Sequence, residues 1–146
     1  MEVPTLPFPK LTLKEAKEIL AKLGVSSDRG EDMGSEEEKA IASYIKEKFG
    51  HDFVFIYDYP TSVRAFYSMR HEDDPALSKS FDLLYRGLEI TSGAQREHRY
   101  DQLKKQILEK GFDKKPFESY LNFFKYGCPP HGGFAPGPSR LLMKIM

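Results

Sequence analysis

The segment Ser80-Phe81-Asp82-Leu83-Leu84-Tyr85-Arg86-Gly87-Leu88-Glu89-Ile90-Thr91-Ser92-Gly93-Ala94-Gln95-Arg96-Glu97-His98-Arg99-Tyr100 concentrates more chemistry than any other part of the chain. Its apolar run from Phe81 to Ile90 reads as a strand that carries two acids, Asp82 and Glu89. Ser92-Gly93 then reads as a turn, and Arg96 falls near the start of a helix over 94–110. Acids able to hold a divalent cation, followed closely by a guanidinium, suit a site that holds a nucleotide phosphate and a carboxylate together.

Working outward, the helix expected at 94–110 turns Tyr100, Leu103, Ile107 and Leu108 inward and stops at Gly111. A further helix spans Pro116 to Tyr126, with Phe117, Tyr120, Leu121 and Phe124 on one face. Upstream, Phe53-Val54-Phe55-Ile56-Tyr57 and residues 64–69 read as strands, joined to the acid-bearing segment by a charged loop from Arg70 to Lys79. Thr12 with Glu15 forms a capping-box pattern ahead of Leu13, Ala16, Ile19, Leu20 and Leu23. Ser35 with Glu38 repeats the pattern ahead of Ile41, Tyr44, Ile45 and Phe49. The run Glu36 to Glu38 suits the positive end of that helix and is read as helix chemistry. Residues 1–10, with three prolines, form an extended lead-in. Hairpin-like strands bracketed by helices predict an α+β domain on a mostly antiparallel sheet.

A chain of 146 residues fits one domain with a real core. Lys+Arg and Asp+Glu are both 22, which argues against nonspecific polyanion binding driven by excess cationic charge. The lone Cys128 excludes an intramolecular disulfide and fits a reducing, cytoplasmic setting. No apolar run approaches the roughly 20 residues of a membrane-spanning helix, and the first residues do not resemble a secretory signal.

Spacing alone favours Asp82 and Glu89 as unrelated strand carboxylates, because residues an odd number apart point to opposite faces. For both to serve one ion the strand must bulge or bend between them, and Gly87 is the expected place. Arg96 at a helix start would face an unfavourable dipole, so its position there points to a specific partner for its planar fork. His131 sits in Pro129-Pro130-His131-Gly132-Gly133, where prolines stiffen the loop and glycines admit a ligand to the backbone. Cys128 lacks the base that a nucleophile requires.

The order Asp82, Glu89, Ser92-Gly93-Ala94-Gln95-Arg96 closely resembles the active-site strand of class II aminoacyl-tRNA synthetases, in particular the aspartyl and related asparaginyl enzymes of archaeal type. Asp58-Tyr59-Pro60-Thr61-Ser62-Val63-Arg64-Ala65-Phe66-Tyr67-Ser68-Met69 resembles the strand before the metal acids in that family. The segment from Gly132-Gly133-Phe134 through Ser139-Arg140-Leu141 resembles its motif 3. The resemblance implies an antiparallel sheet flanked by helices. It implies Mg2+ at Asp82, Glu89 and Ser92, with ATP on Glu89, Ser92 and a catalytic Arg140. The amino acid, aspartate or asparagine, would lie on Arg96, Tyr67, His131 and Gly133, and tRNA would be the acceptor.

Motif 3 departs from the family pattern at Ala135, Pro136, Pro138 and Ser139, where the family has a glycine, apolar residues and a glutamate. Nothing in residues 1–146 resembles motif 1, motif 2 or an OB-type anticodon-binding domain, so the resemblance covers a partial catalytic domain. It implies dependence on the missing half, supplied by a partner chain carrying motifs 1 and 2 or within a homodimer. A non-catalytic paralogue, an amino-acid ligase of the asparagine synthetase type and a remnant without function stay open as alternatives.

Overall fold

The computed structural model describes residues 4–146; the first three residues of the expected lead-in lie outside the described part. Helix α1, Leu13–Leu23, begins on the expected box: Thr12 Oγ1 accepts from the Glu15 amide at 3.1 Å, and Glu15 Oε2 accepts from the Thr12 amide at 2.7 Å. Helix α2, Ser35–Phe49, starts one residue earlier than its sequence pattern suggests. Gly34 is the cap residue and its amide donates to Glu37 Oε2 at 2.9 Å. Glu37 is buried because Lys17 and Ser27 also donate to it.

Five strands, β1 Lys10–Thr12, β2 Phe53–Tyr57, β3 Ser80–Tyr85, β4 Leu88–Arg96 and β5 His131–Pro136, pair in chain order. Only β1 and β2 run parallel. The α+β architecture is therefore as expected. The strict alternation of β2 sends Val54 and Ile56 to one face, where they pack with Leu84 of β3 against Leu13, Ala16 and Leu20 of α1 and Ile41 and Ile45 of α2. The other face carries aromatic pairs, Phe53 stacked on the buried Tyr85 at 4.4 Å and Phe55 edge-on to Phe81 at 5.5 Å. A second core joins Leu103 and Ile107 of α3, Tyr100–Glu109, to Leu121 and Phe124 of α4, Glu118–Lys125. Helix α5 is Pro138–Ile145, with Pro138 in its first turn as its fixed φ permits. Among the described residues no helix is long and apolar enough to cross a membrane.

Five expectations change. The run Phe81 to Ile90 is a hairpin, not one strand: Arg86 (φ 49°) and Gly87 (φ 73°) form a two-residue turn of the type that suits the twist of paired strands. Gly87 thus makes the turn, and the bulge lies further on. Leu83 pairs with Thr91 while Leu84 pairs with Glu89, which leaves Ile90 as the extra residue. Ser92-Gly93 is interior strand, where the missing Cβ admits the Phe81 ring and the Phe134 Cβ, each within 3 Å of where a side chain would begin. The helix expected from 94 starts at Tyr100, so Arg96 ends a strand and the dipole argument does not apply to it. Residues 64–69 are not a strand: of them Ser68 alone bridges, to Arg96, and the loop's carbonyls turn to the end of α3, where Gln106 donates to Phe66 O and Lys110, just past the helix, donates to Thr61 O and Ser62 O at 2.7 Å each.

Gly87→Ala should destabilise the chain by about 1–3 kcal/mol. It places a Cβ at positive φ, 2.8 Å from the Lys39 Cα. A urea titration that shows no shift of the midpoint would contradict this account of the turn.

Candidate functional site

The pleat and the Ile90 bulge bring the two acids to one face. Asp82 lies opposite Ser92, and Leu84, two residues on and hence on the same face as Asp82, lies opposite Glu89. Arg140, in the first turn of α5, reaches this end of the sheet because the Gly137 amide donates to Ile90 O at 2.7 Å and seats the strand–helix junction on the bulge. Its Nη1 donates to Glu89 O at 2.9 Å and stands 3.3 Å from Glu89 Oε1. The two residues the resemblance assigns to ATP are therefore joined by a direct ion pair.

Asp82 differs from the expected open ligand. Its side chain is 9% exposed, and Oδ2 accepts from Arg64 Nη2 at 2.6 Å, while Oδ1 is buried with no hydrogen-bond partner. Arg64 lies flat on Tyr59, 3.6 Å from the ring centroid. Burial, with the Asp82 charge next to it, pushes the Tyr59 hydroxyl far above the ordinary tyrosine range.

Glu38 completes this end. The spacing Glu38, Ile41, Ile45 places it on the inward face of α2, a signal that the reading of the acidic run as helix chemistry passed over. Burial, reinforced by the charges of Glu89 and Asp82 and opposed by Arg140, pushes its carboxyl up to about 7. A carboxyl raised in the folded state binds its proton more tightly there than in the unfolded chain. It therefore costs stability progressively as pH rises from the unfolded value of 4.5 to about 7, and in full above that. Glu38→Gln should raise stability at pH 8 by about 1 kcal/mol, discounted for partial exposure, and leave it nearly unchanged at pH 4. Equal effects at both pH values in thermal melts would contradict the assignment.

Four residues along β4, about 13 Å from Ser92, Arg96 occupies the same face. Its guanidinium lies 4.7 Å from the Tyr67 ring centroid, and Nη2 donates a long 3.5 Å bond to Gly133 O. Arg64, Arg86 and Arg140 all meet carboxylates, whereas Arg96 meets none among the described residues. A Cβ on Gly133 would come within 3.2–3.3 Å of the guanidinium and press it aside by a few tenths of an ångström. Tyr120 borders the same cluster: burial raises its hydroxyl above the ordinary range and the Arg96 charge opposes that rise. His131 pairs with Arg96 across the strands, so the two side chains share a face. Its Nδ1 lies 3.0 Å from Pro129 O, which can only accept, so Nδ1 carries the proton. Cys128 Sγ lies 3.7 Å from that protonated nitrogen and finds no base in it.

The structure thus groups Asp82, Glu89, Ser92 and Arg140 at one end of β4 and Arg96, Tyr67, Gly133 and His131 at the other. Arg64 and Glu38 join the first group from distant segments.

Residues 2–146 match the family model described as tRNA synthetases class II (D, K and N). The chain is 48% identical over its whole length to an aspartate–tRNA(Asp) ligase of Pyrococcus furiosus, of which it spans 33%. An aspartyl-tRNA synthetase from Entamoeba histolytica superposes with a TM-score of 0.91 at 38% identity, over 98% of this chain and 30% of that one. An asparaginyl-tRNA synthetase from Pyrococcus horikoshii, solved with asparaginyl-adenylate, gives 0.82 at 39% identity over 93% of this chain and 31% of that one. The chain spans about a third of the length of these relatives. With the family model matching nearly the whole chain, this chain belongs to the class II tRNA synthetases of the D, K and N group.

Proposed function

We propose that the chain forms one side of an aspartate-activating site, in which ATP and aspartate give aspartyl-adenylate and pyrophosphate, and the aspartyl group then passes to tRNA. The observation that carries this reading is Arg96: a guanidinium held over Tyr67, beside His131 and Gly133, without a carboxylate of its own among the described residues. A planar fork in that state is ready for a ligand carboxylate, which it takes by two parallel bonds. With no acid among its contacts, nothing there favours a cationic amino acid. Ser92 lies about 13 Å along the same strand, and Glu89, paired with Arg140 of α5, lies further on, so an amino acid on Arg96 would run toward a nucleotide phosphate at that end. The domain is accordingly read as a partial class II catalytic domain over residues 1–146.

The donors at the acid end fit Mg2+. They are hard oxygens, and Asp82 Oδ1 is buried with no partner. Among the described residues no three acidic, His or Cys side chains already stand at ligating distance. That suits an ion that keeps several waters and takes one or two carboxylates along with substrate phosphates. Asp82 and Glu89, assisted by Ser92, would hold it, and when bound it neutralises phosphate charge. Arg140 is the protein's own positive charge for the phosphate end, and Arg96 orients the amino acid against it.

The reading is tested by replacing the matching third of the Pyrococcus furiosus ligase with these 146 residues and measuring ATP–pyrophosphate exchange. Exchange should depend on aspartate and not on lysine or leucine. A folded chimera that exchanges with none of them would overturn the proposal.

A further inference from the structure

No pattern in the sequence marks Arg64, yet the structure invests heavily in it. The side chain is 18% exposed and donates to Asp82 Oδ2 at 2.6 Å while its plane covers the Tyr59 ring. Tyr59 is itself 1% exposed. The backbone on both sides of Arg64 is pinned to α3 by Lys110 and Gln106, so the guanidinium cannot drift from the carboxylate with its loop. Asp82 is left with one uncommitted oxygen, Oδ1, on the face it shares with Ser92 and Glu89.

We propose that Arg64 is a positioning residue for the cation end of the site: by occupying Asp82 Oδ2 it fixes the carboxylate in the orientation that leaves Oδ1 alone to a divalent cation beside Glu89. This rests on the proposed function above. A carboxylate with both oxygens free can rotate, chelate through both, or turn toward the nearby Tyr59 hydroxyl. Arg64 removes those choices. The planar group suits the task because it stacks on Tyr59 and donates in its own plane at the same time. A lysine ammonium would supply the charge without the stack that sets its direction.

The two ways in which Arg64 could matter differ in sign. If it were only a positive charge near the cation, its removal would tighten cation binding by relieving repulsion. If it positions the ligand, its removal weakens binding, as loss of an outer partner of a metal ligand commonly does by about 10–100-fold.

The test is Mn2+ binding to the 146-residue chain with a non-hydrolysable ATP analogue present, so that Arg140 has a phosphate and Glu89 is free, followed by the change that the protein causes in the Mn2+ electron paramagnetic resonance signal, for wild type, R64Q, R64K, D82N and R64K/D82N. R64Q should bind about tenfold more weakly or worse. R64K keeps the buried charge balance and so guards against simple unfolding, and it should still bind about threefold more weakly. In the D82N background R64K should change nothing further. R64K binding as tightly as wild type or tighter, or weakening binding equally without Asp82, overturns the positioning role while the site reading stands. Equal Mn2+ binding by wild type and D82N overturns the site reading and the role of Arg64 with it.

Discussion

Arg96→Lys, placed in the chimeric ligase, is expected to raise the KM for aspartate about 10–100-fold while the KM for ATP stays within about twofold. Lysine keeps the charge but offers a point donor where arginine offers two parallel bonds, and each charge-assisted bond is worth about 1.5–3 kcal/mol. The surroundings amplify the difference. The guanidinium lies 4.7 Å from the Tyr67 ring centroid and beside Gly133, whose missing Cβ leaves room for it. An ammonium on a flexible stem uses neither feature. The pattern separates location from folding: a variant that raised both KM values alike would have lost the site in general, and Arg96 would then not mark its amino-acid end. Gly133→Ala should give the same pattern in weaker form, because its Cβ displaces the guanidinium by only a few tenths of an ångström.

Elements whose signals are local were legible in the sequence. The Thr12–Glu15 box, the alternation of β2 and the apolar faces of α1, α2 and α4 each follow from spacings of two to eight residues, and the structure has them where the spacing puts them, save that Leu23 and Phe49 at the helix ends are half exposed. The hairpin was hidden because its turn begins with Arg86, a residue without turn preference, held at φ 49° by the strands on either side. Gly93 misled in the opposite direction. It looks like a turn residue, but it is a strand glycine that makes room for Phe81 and Phe134, partners 12 and 41 positions away. With the turn misplaced, Arg96 was read into a helix, although its identity as a candidate rested on its neighbours in sequence and is unaffected. The partners of Asp82 were beyond any pattern. Arg64 is 18 residues distant in a loop without periodicity, and Glu38 comes from a helix on another layer. A close approach between segments that no period connects leaves no trace in either of them.

Arg140 and Glu89 define the other large effect. In this structure they hold each other, Nη1 standing 3.3 Å from Oε1, with both side chains partly exposed. On the proposed reading, a triphosphate entering between them would draw Arg140 from carboxylate to phosphate and leave Glu89 free for a cation. Each group would exchange one opposite charge for another, so that neither charge would be left uncompensated. Arg140→Ala and Glu89→Gln in the chimera should each lower kcat for exchange about 10²–10³-fold, the loss that follows removal of one preorganised charge-stabilising group. The melting temperature should hardly move, because an exposed ion pair contributes about 0–1 kcal/mol. The double variant decides whether they work as one device. Groups that act as a unit are strongly non-additive, so E89Q/R140A should be no more than about tenfold worse than the poorer single variant. A double loss equal to the product of the two single losses would mean that Glu89 and Arg140 act on separate parts of the reaction, and that their contact here has no bearing on nucleotide entry.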